Sequence, residues 1–177
     1  MLVRTSFQVE KVIVYGFLLV ILAGALLLYL CNNLIYGLDL PMIDALFMST
    51  SAVCVTGLQT VNIATDFGFL SQVILLILIE TGGLGFMTGM MVLPVVIGRR
   101  IGIKSRIFFL GGLGPEGVQG AVKLFKVVVG YTLCAETAGA AALYCGFRLH
   151  GENSLRALYY AVFHSISAFC NAGFSTY

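Results

Sequence analysis

Charge is scarce in this chain. Lys, Arg, Asp and Glu together make up 10% of its 177 residues, against roughly 25% in an ordinary soluble domain. No block of Lys or Arg interleaved with aromatics occurs, and the net charge is only +2, so a nucleic-acid partner is not expected. No C-x-x-C is present. The five cysteines, Cys31, Cys54, Cys134, Cys145 and Cys170, are scattered and odd in number. They imply neither a zinc site, nor a redox pair, nor a disulfide framework. The phosphate loop G-x-x-x-x-G-K-[ST] is missing, so no ATP hydrolysis is expected. Nucleophile–base pairs and metal-ligand spacings are missing too. An enzyme reading would have to use Glu80, Glu136 or His164 as isolated acid–base groups, and we expect no enzyme and no cofactor.

What fills the chain instead is apolar. Hydrophobic residues reach 59% and the mean hydropathy is +1.00, which places the sequence in the membrane class. Residues 12–30 form a run without a charge, long enough to cross a hydrocarbon core of about 30 Å as a helix. A secretory signal is the competing reading of an apolar N-terminal run. This one is long for a signal core, and Cys-Asn-Asn-Leu-Ile-Tyr follows it rather than an A-x-A-like cleavage site. A retained span is predicted. A second run covers 67–98 with Glu80 as its only charge, and a third covers 127–147 with Glu136. The second exceeds the length of a span, so it protrudes or bends near Gly82, Gly83, Gly85 and Pro94. Two moderately apolar stretches, 42–52 and 155–168, are too short to cross and read as re-entrant helices.

The basic residues orient these spans. Arg4 and Lys11 precede the first, Arg99, Arg100, Lys104 and Arg106 follow the second, and Lys123 and Lys126 precede the third. Residues 31–66 contain no Lys or Arg. The positive-inside rule therefore puts the N-terminus and the 99–126 connection in the cytoplasm, and residues 31–66 and 148–177 outside.

A short motif occurs twice. Residues 51–60 read SAVCVTGLQT and residues 167–176 read SAFCNAGFST, with Ser, Ala, Cys, Gly and the final Thr in register 116 positions apart. At that offset Ala45, Phe47 and Ser49 also match Ala161, Phe163 and Ser165, and in the spans Tyr15 matches Tyr131 and Leu27 matches Leu143. The expected architecture is an all-α polytopic membrane protein of repeated span, short helix, polar loop and span. The first unit covers residues 1–110 with its basic cytoplasmic loop. The second covers 111–177 and lacks its outgoing span, so part of a longer protein is expected. Irregular backbone at membrane depth persists only when packed in protein or lining a polar path. Rings of its carbonyls can replace the water of a potassium ion. Gly57 and Gly173 suit such a loop because glycine adopts positive φ readily and leaves the bore open. Thr56 is expected to add a hydroxyl, and Asn171 to brace its loop.

SAVCVTGL at 51–58, IETGGLGFMTG at 79–89 and VFHSISAFCNAGFS at 162–175 together resemble the Ktr/Trk/HKT superfamily of potassium transporters, and most of all its KtrB and TrkH membrane subunits. The resemblance covers nearly the whole chain and about the first half of such a protein. It implies four span–pore helix–span repeats around one pore, each with a filter loop carrying a key glycine. Carried over, Cys54, Val55, Thr56 and Gly57 form the first filter strand, and Cys170, Asn171, Ala172 and Gly173 the second. Potassium at these carbonyls is then the one metal ion implied. Serine at the first glycine position is associated with sodium preference in plant relatives, so Gly57 favours potassium, with sodium as an alternative cargo. The resemblance also implies a homodimer in the inner membrane and a cytosolic nucleotide-binding regulatory subunit of the KtrA/TrkA type. A truncated structural or regulatory fragment that associates with a full-length relative is the alternative. Two readings stay open for Glu80, Gly82 and Gly83: a gate or path lining, and close packing inside the bundle. Glu136 is likewise open between path and packing. His164 is expected to be structural.

Overall fold

The computed structural model describes the backbone of residues 2–96 and 118–177, and the side chains of 11, 14–85 and 126–177. The basic loop residues Arg99, Arg100, Lys104 and Arg106 lie outside the described residues. All regular structure among the described residues is helical. In chain order the helices are α1 (Leu2–Leu30), α2 (Met42–Val53), α3 (Ile63–Asp66), α4 (Phe69–Val96), α5 (Val118–Leu149) and α6 (Ser154–Phe169).

Two stretches are long and apolar enough to cross a membrane, Val14–Ile35 and Lys126–Leu149. The described part of α4 adds a shorter apolar stretch, Phe69–Gly85. By contrast, the 12 residues of α2 and the 16 of α6 extend about 18 and 24 Å at 1.5 Å per residue. Both stop short of a bilayer core, as the two short runs predict. The outward face of α1 carries Val14, Tyr15, Leu18, Leu19, Leu22 and Leu26, all exposed. Such a row is costly in water and ordinary against lipid, where the surrounding medium is as apolar as the side chains.

Local chemistry sets where the elements start and stop. Helix α1 runs on into a π-helical turn, Cys31–Ile35, and two asparagines hold it there. The Asn33 amide donates to the Leu40 carbonyl at 3.0 Å and its Oδ1 accepts from Leu40 N at 2.8 Å. Asn32 is fully buried. It donates to the Asp66 carbonyl and accepts from Gly68 N and Ser71 Oγ, so the end of α1 is stitched to the start of α4. Pro41, in extended conformation, is the N-cap of α2. Its ring has no N–H to donate, which costs nothing at a helix start. Asn62 Oδ1 accepts from Ala64 N at 2.9 Å and caps the single turn α3, an element that the apolar runs did not reveal.

Packing gives two hairpins joined by α4. Helix α1 packs on α2, α5 packs on α6, and α4 touches both pairs. Leu28, Met48, Val53, Leu75, Ile79 and Phe163 are among the residues of the shared core, each almost wholly buried. The halves are also joined by a polar contact: the Tyr159 hydroxyl donates to Gln72 Oε1. Gln72 in turn donates to the carbonyls of Ile63 and Phe67 at 2.8 and 2.9 Å. A buried amide left without these partners would cost about 1–3 kcal/mol.

Candidate ion-path loops

Each short helix ends in a loop built by the same bonds. After α2, Cys54 N donates to Thr50 O at 2.8 Å, Val55 N to Ala52 O at 3.1 Å and Thr56 N to Ser51 O at 2.9 Å. After α6, Cys170 N donates to Ile166 O at 2.9 Å, Asn171 N to Ala168 O at 3.0 Å and Ala172 N to Ser167 O at 2.7 Å. A serine in the last helical turn straps each loop back. Ser51 Oγ donates to Leu58 O at 2.7 Å, and Ser167 Oγ to Phe174 O at 2.8 Å. The backbone angles repeat as well. Val55 and Asn171 have φ of 54° and 58°, and Gly57 and Gly173 have 78° and 72°. Two left-handed residues within three positions turn the chain sharply, and the second of each pair is the glycine that tolerates this without strain.

The first loop meets the second. A Cβ on Gly57 would lie 2.3 Å from the Ala172 carbonyl oxygen and 3.4 Å from Gly173 Cα. Only glycine fits there. Among the described residues, none of the backbone oxygens of 54–57 or of 170–173 accepts a hydrogen bond. Two adjoining stretches of peptide oxygens are thus unclaimed among the described residues. Thr56 and Asn171 are exposed. Thr56 Oγ1 turns back to Ser51 O at 3.2 Å. The Asn171 side chain makes no hydrogen bond among the described residues, and the side chain that straps its loop is Ser167.

Behind the loops runs α4. A Cβ on Gly82 would lie 2.2 Å from Val53 O, and one on Gly83 would lie 2.7 Å from Cys170 Sγ. Their absent side chains let α4 pass directly under the C-terminal ends of both short helices. Glu80 stands one turn away and accepts from the Cys170 thiol at 3.5 Å. Glu136 of α5 joins it, buried. His164 is held at both ring nitrogens, by the Tyr160 carbonyl at 2.7 Å and Ser175 Oγ at 3.0 Å. That is the structural position expected of it.

The same scheme positions each short helix against its long neighbour. Ser49 Oγ donates to Ile21 O at 2.7 Å and Ser165 Oγ to Glu136 O at 2.7 Å. Gly24 and Gly139 leave room for these hydroxyls, each of which a Cβ would meet at 2.6 Å. This corrects the register within the spans. The structural offset there is 115, not 116, so Tyr15 and Leu27 are not the counterparts of Tyr131 and Leu143. The second unit holds one more residue between its matched span glycine and its matched short-helix serine, Gly139 to Ser165 against Gly24 to Ser49. The signal was present in the sequence: Ala23, Gly24, Ala25, Leu28 and Tyr29 recur as Ala138, Gly139, Ala140, Leu143 and Tyr144.

Comparison with known proteins identifies the family. The chain is similar to the potassium/sodium uptake protein NtpJ of Enterococcus hirae, 36% identical over 172 residues, which cover 97% of this chain and 38% of NtpJ. It is 38% identical over 172 residues to the Ktr system potassium uptake protein B of Bacillus subtilis, covering 96% of this chain and 37% of that protein. The protein of the same name from Vibrio alginolyticus is 36% identical over 168 residues, covering 94% and 36% respectively. The chain therefore spans little more than a third of the length of these relatives. Residues 5–177 match the TrkH family, described as a cation transport protein. The chain belongs to the TrkH family of cation transport proteins.

Proposed function

We propose that this chain is the N-terminal part of the membrane-translocating subunit of a potassium uptake system. On this reading α1 and α5 are the incoming spans, α2 and α6 are pore helices, and α4 is the outgoing span of the first unit. Residues 1–110 form the first repeat and 111–177 the start of the second. The backbone oxygens of Cys54, Val55, Thr56 and Gly57, and of Cys170, Asn171, Ala172 and Gly173, stand in for the hydration shell of K+. The observation that carries this reading is the pair of matched loops, abutting at Gly57, whose peptide oxygens no donor claims among the described residues. A helix C-terminus bears partial negative charge, and α2 and α6 each end directly at such a loop. Glu80, Gly82 and Gly83 act on the path from behind, by holding Val53 and Cys170 in place.

The relatives named as potassium uptake proteins support the choice of cargo, and Gly57 favours K+ over Na+. The distribution of Lys and Arg supports a cytoplasmic N-terminus, and the resemblance to Ktr and Trk membrane subunits supports placement in the inner membrane. We further propose that the complete protein contributes two more such loops to one pore, dimerises in the membrane and binds a cytosolic nucleotide-binding regulatory subunit of the KtrA/TrkA type. The test is growth of an uptake-deficient strain on limiting K+, complemented with the intact gene. Rescue is expected from the wild type and from His164→Ala, and no rescue from Gly57→Ser. Equal rescue by Gly57→Ser would overturn the assignment.

A further inference from the structure

We propose that Glu80, Glu136 and Cys170 form a binding site for one thiophilic divalent cation, of the zinc or cadmium kind, between α4, α5 and the start of the second loop. One carboxylate oxygen from each glutamate and the Cys170 sulfur all lie within 4.8 Å of one another. A small inward rotation of the carboxyls lets all three atoms reach one ion at the roughly 2.0–2.3 Å metal–ligand distances of zinc. The residues are separated by long stretches of sequence and share no spacing motif, so the site is invisible until the chain is folded.

Two features point to a ligand. Glu136 is 8% exposed, and among the described residues its Oε1 has no hydrogen-bond partner. A buried carboxyl oxygen without a hydrogen bond is costly, and a cation held between Glu136, Glu80 and Cys170 offsets that cost. The donor set also selects the ion. Two carboxylates alone would suit Mg2+ or Ca2+, whereas adding a thiolate shifts the preference to softer ions such as zinc. Two carboxylates and one thiolate balance a divalent ion to within one charge. The S–H proton, now directed at Glu80, leaves to solvent as the metal–sulfur bond forms, because the thiolate is the ligand. Glu80 remains partly exposed, which leaves the ion a way in. Once bound, it would pin Cys170, and with it the second loop, to two long helices.

The site is independent of the potassium reading, and its test does not use transport. The full-length transporter, purified in detergent, is titrated with Cd2+ while the ultraviolet cadmium–thiolate band is followed. The wild type and Cys54→Ser are expected to gain the same band with one Cd2+ per chain. Cys170→Ser is expected to lose it. Glu80→Gln and Glu136→Gln should each weaken binding by at least about tenfold, the scale at which even outer-shell partners matter. A band unaffected by Cys170→Ser overturns the site. So does unchanged affinity in both glutamine variants, the result expected of a carboxyl pair that only shares a proton. A measurement on the wild type alone covers the case of a variant that fails to fold: Zn2+ must raise its melting temperature and Mg2+ must not. No shift with Zn2+ overturns the proposal.

Discussion

A single missing Cβ at Gly57 decides whether the two loops can meet. Any other residue would need a side-chain carbon 2.3 Å from the Ala172 oxygen, and would hold it at a φ of 78°. Gly57→Ala is therefore expected to abolish Rb+ uptake by the intact transporter as thoroughly as Gly57→Ser does. Normal uptake by the alanine variant would show that the contact is dispensable. The serine straps offer a finer test. Ser167→Ala leaves the Phe174 carbonyl without its donor beside a buried ring, at a cost of about 1–3 kcal/mol. Ser51→Ala removes the matching bond to Leu58. Both variants should fold, melt at a lower temperature and discriminate less between K+ and Na+ in uptake competition. Unaltered selectivity in both would mean that the straps do not set the loop geometry. At this scale the glycines and serines were legible because they repeat. The partner of Cys170 was not: Glu80 lies 90 residues away, and no local pattern announces it.

Helix α4 owes its position to what it lacks and the π turn to what it carries. Gly82 rides on the Val53 carbonyl, 2.2 Å from where a Cβ would stand, so Gly82→Ala must push α4 off the end of α2. Overpacking of this kind costs about 1–3 kcal/mol, and thermal melting in detergent should show that loss. The π turn depends on Asn32, whose side chain serves Asp66, Gly68 and Ser71 at once. Asn32→Leu should lower stability more than Asn33→Leu, because Asn32 is the fully buried member of the pair. The existence and type of the long elements followed from hydrophobic run length, and the two short helices from runs too brief to cross. The π turn, the single-turn α3 and the inter-span register did not follow. The π turn depends on Asn32, whose side chain acts only after distant backbone arrives, and α3 is a single turn capped locally by Asn62, too short for an apolar run to reveal. The register was obscured because the second unit holds one more residue between Gly139 and Ser165 than the first does between Gly24 and Ser49, which shifted the A-G-A-x-x-L-Y repeat out of step with the loop repeat.

Across the whole molecule, two helical hairpins converge on α4, with apolar faces turned outward. In lipid the outward faces contribute little to cohesion, so van der Waals contact and interhelical hydrogen bonds must hold the halves together. The Tyr159–Gln72 bond is one of these. Tyr159→Phe should cost about 0.5–1.5 kcal/mol, measurable as a lower melting temperature, while leaving the fold intact. Everything proposed for transport reduces to where a cation sits, and that can be seen directly. Crystals of the intact transporter soaked in Rb+ or Tl+ give anomalous density at ion positions. The account predicts a peak touching the backbone oxygens of residues 54–57 and 170–173 together. Ions bound only elsewhere, with those oxygens turned into protein, would contradict it.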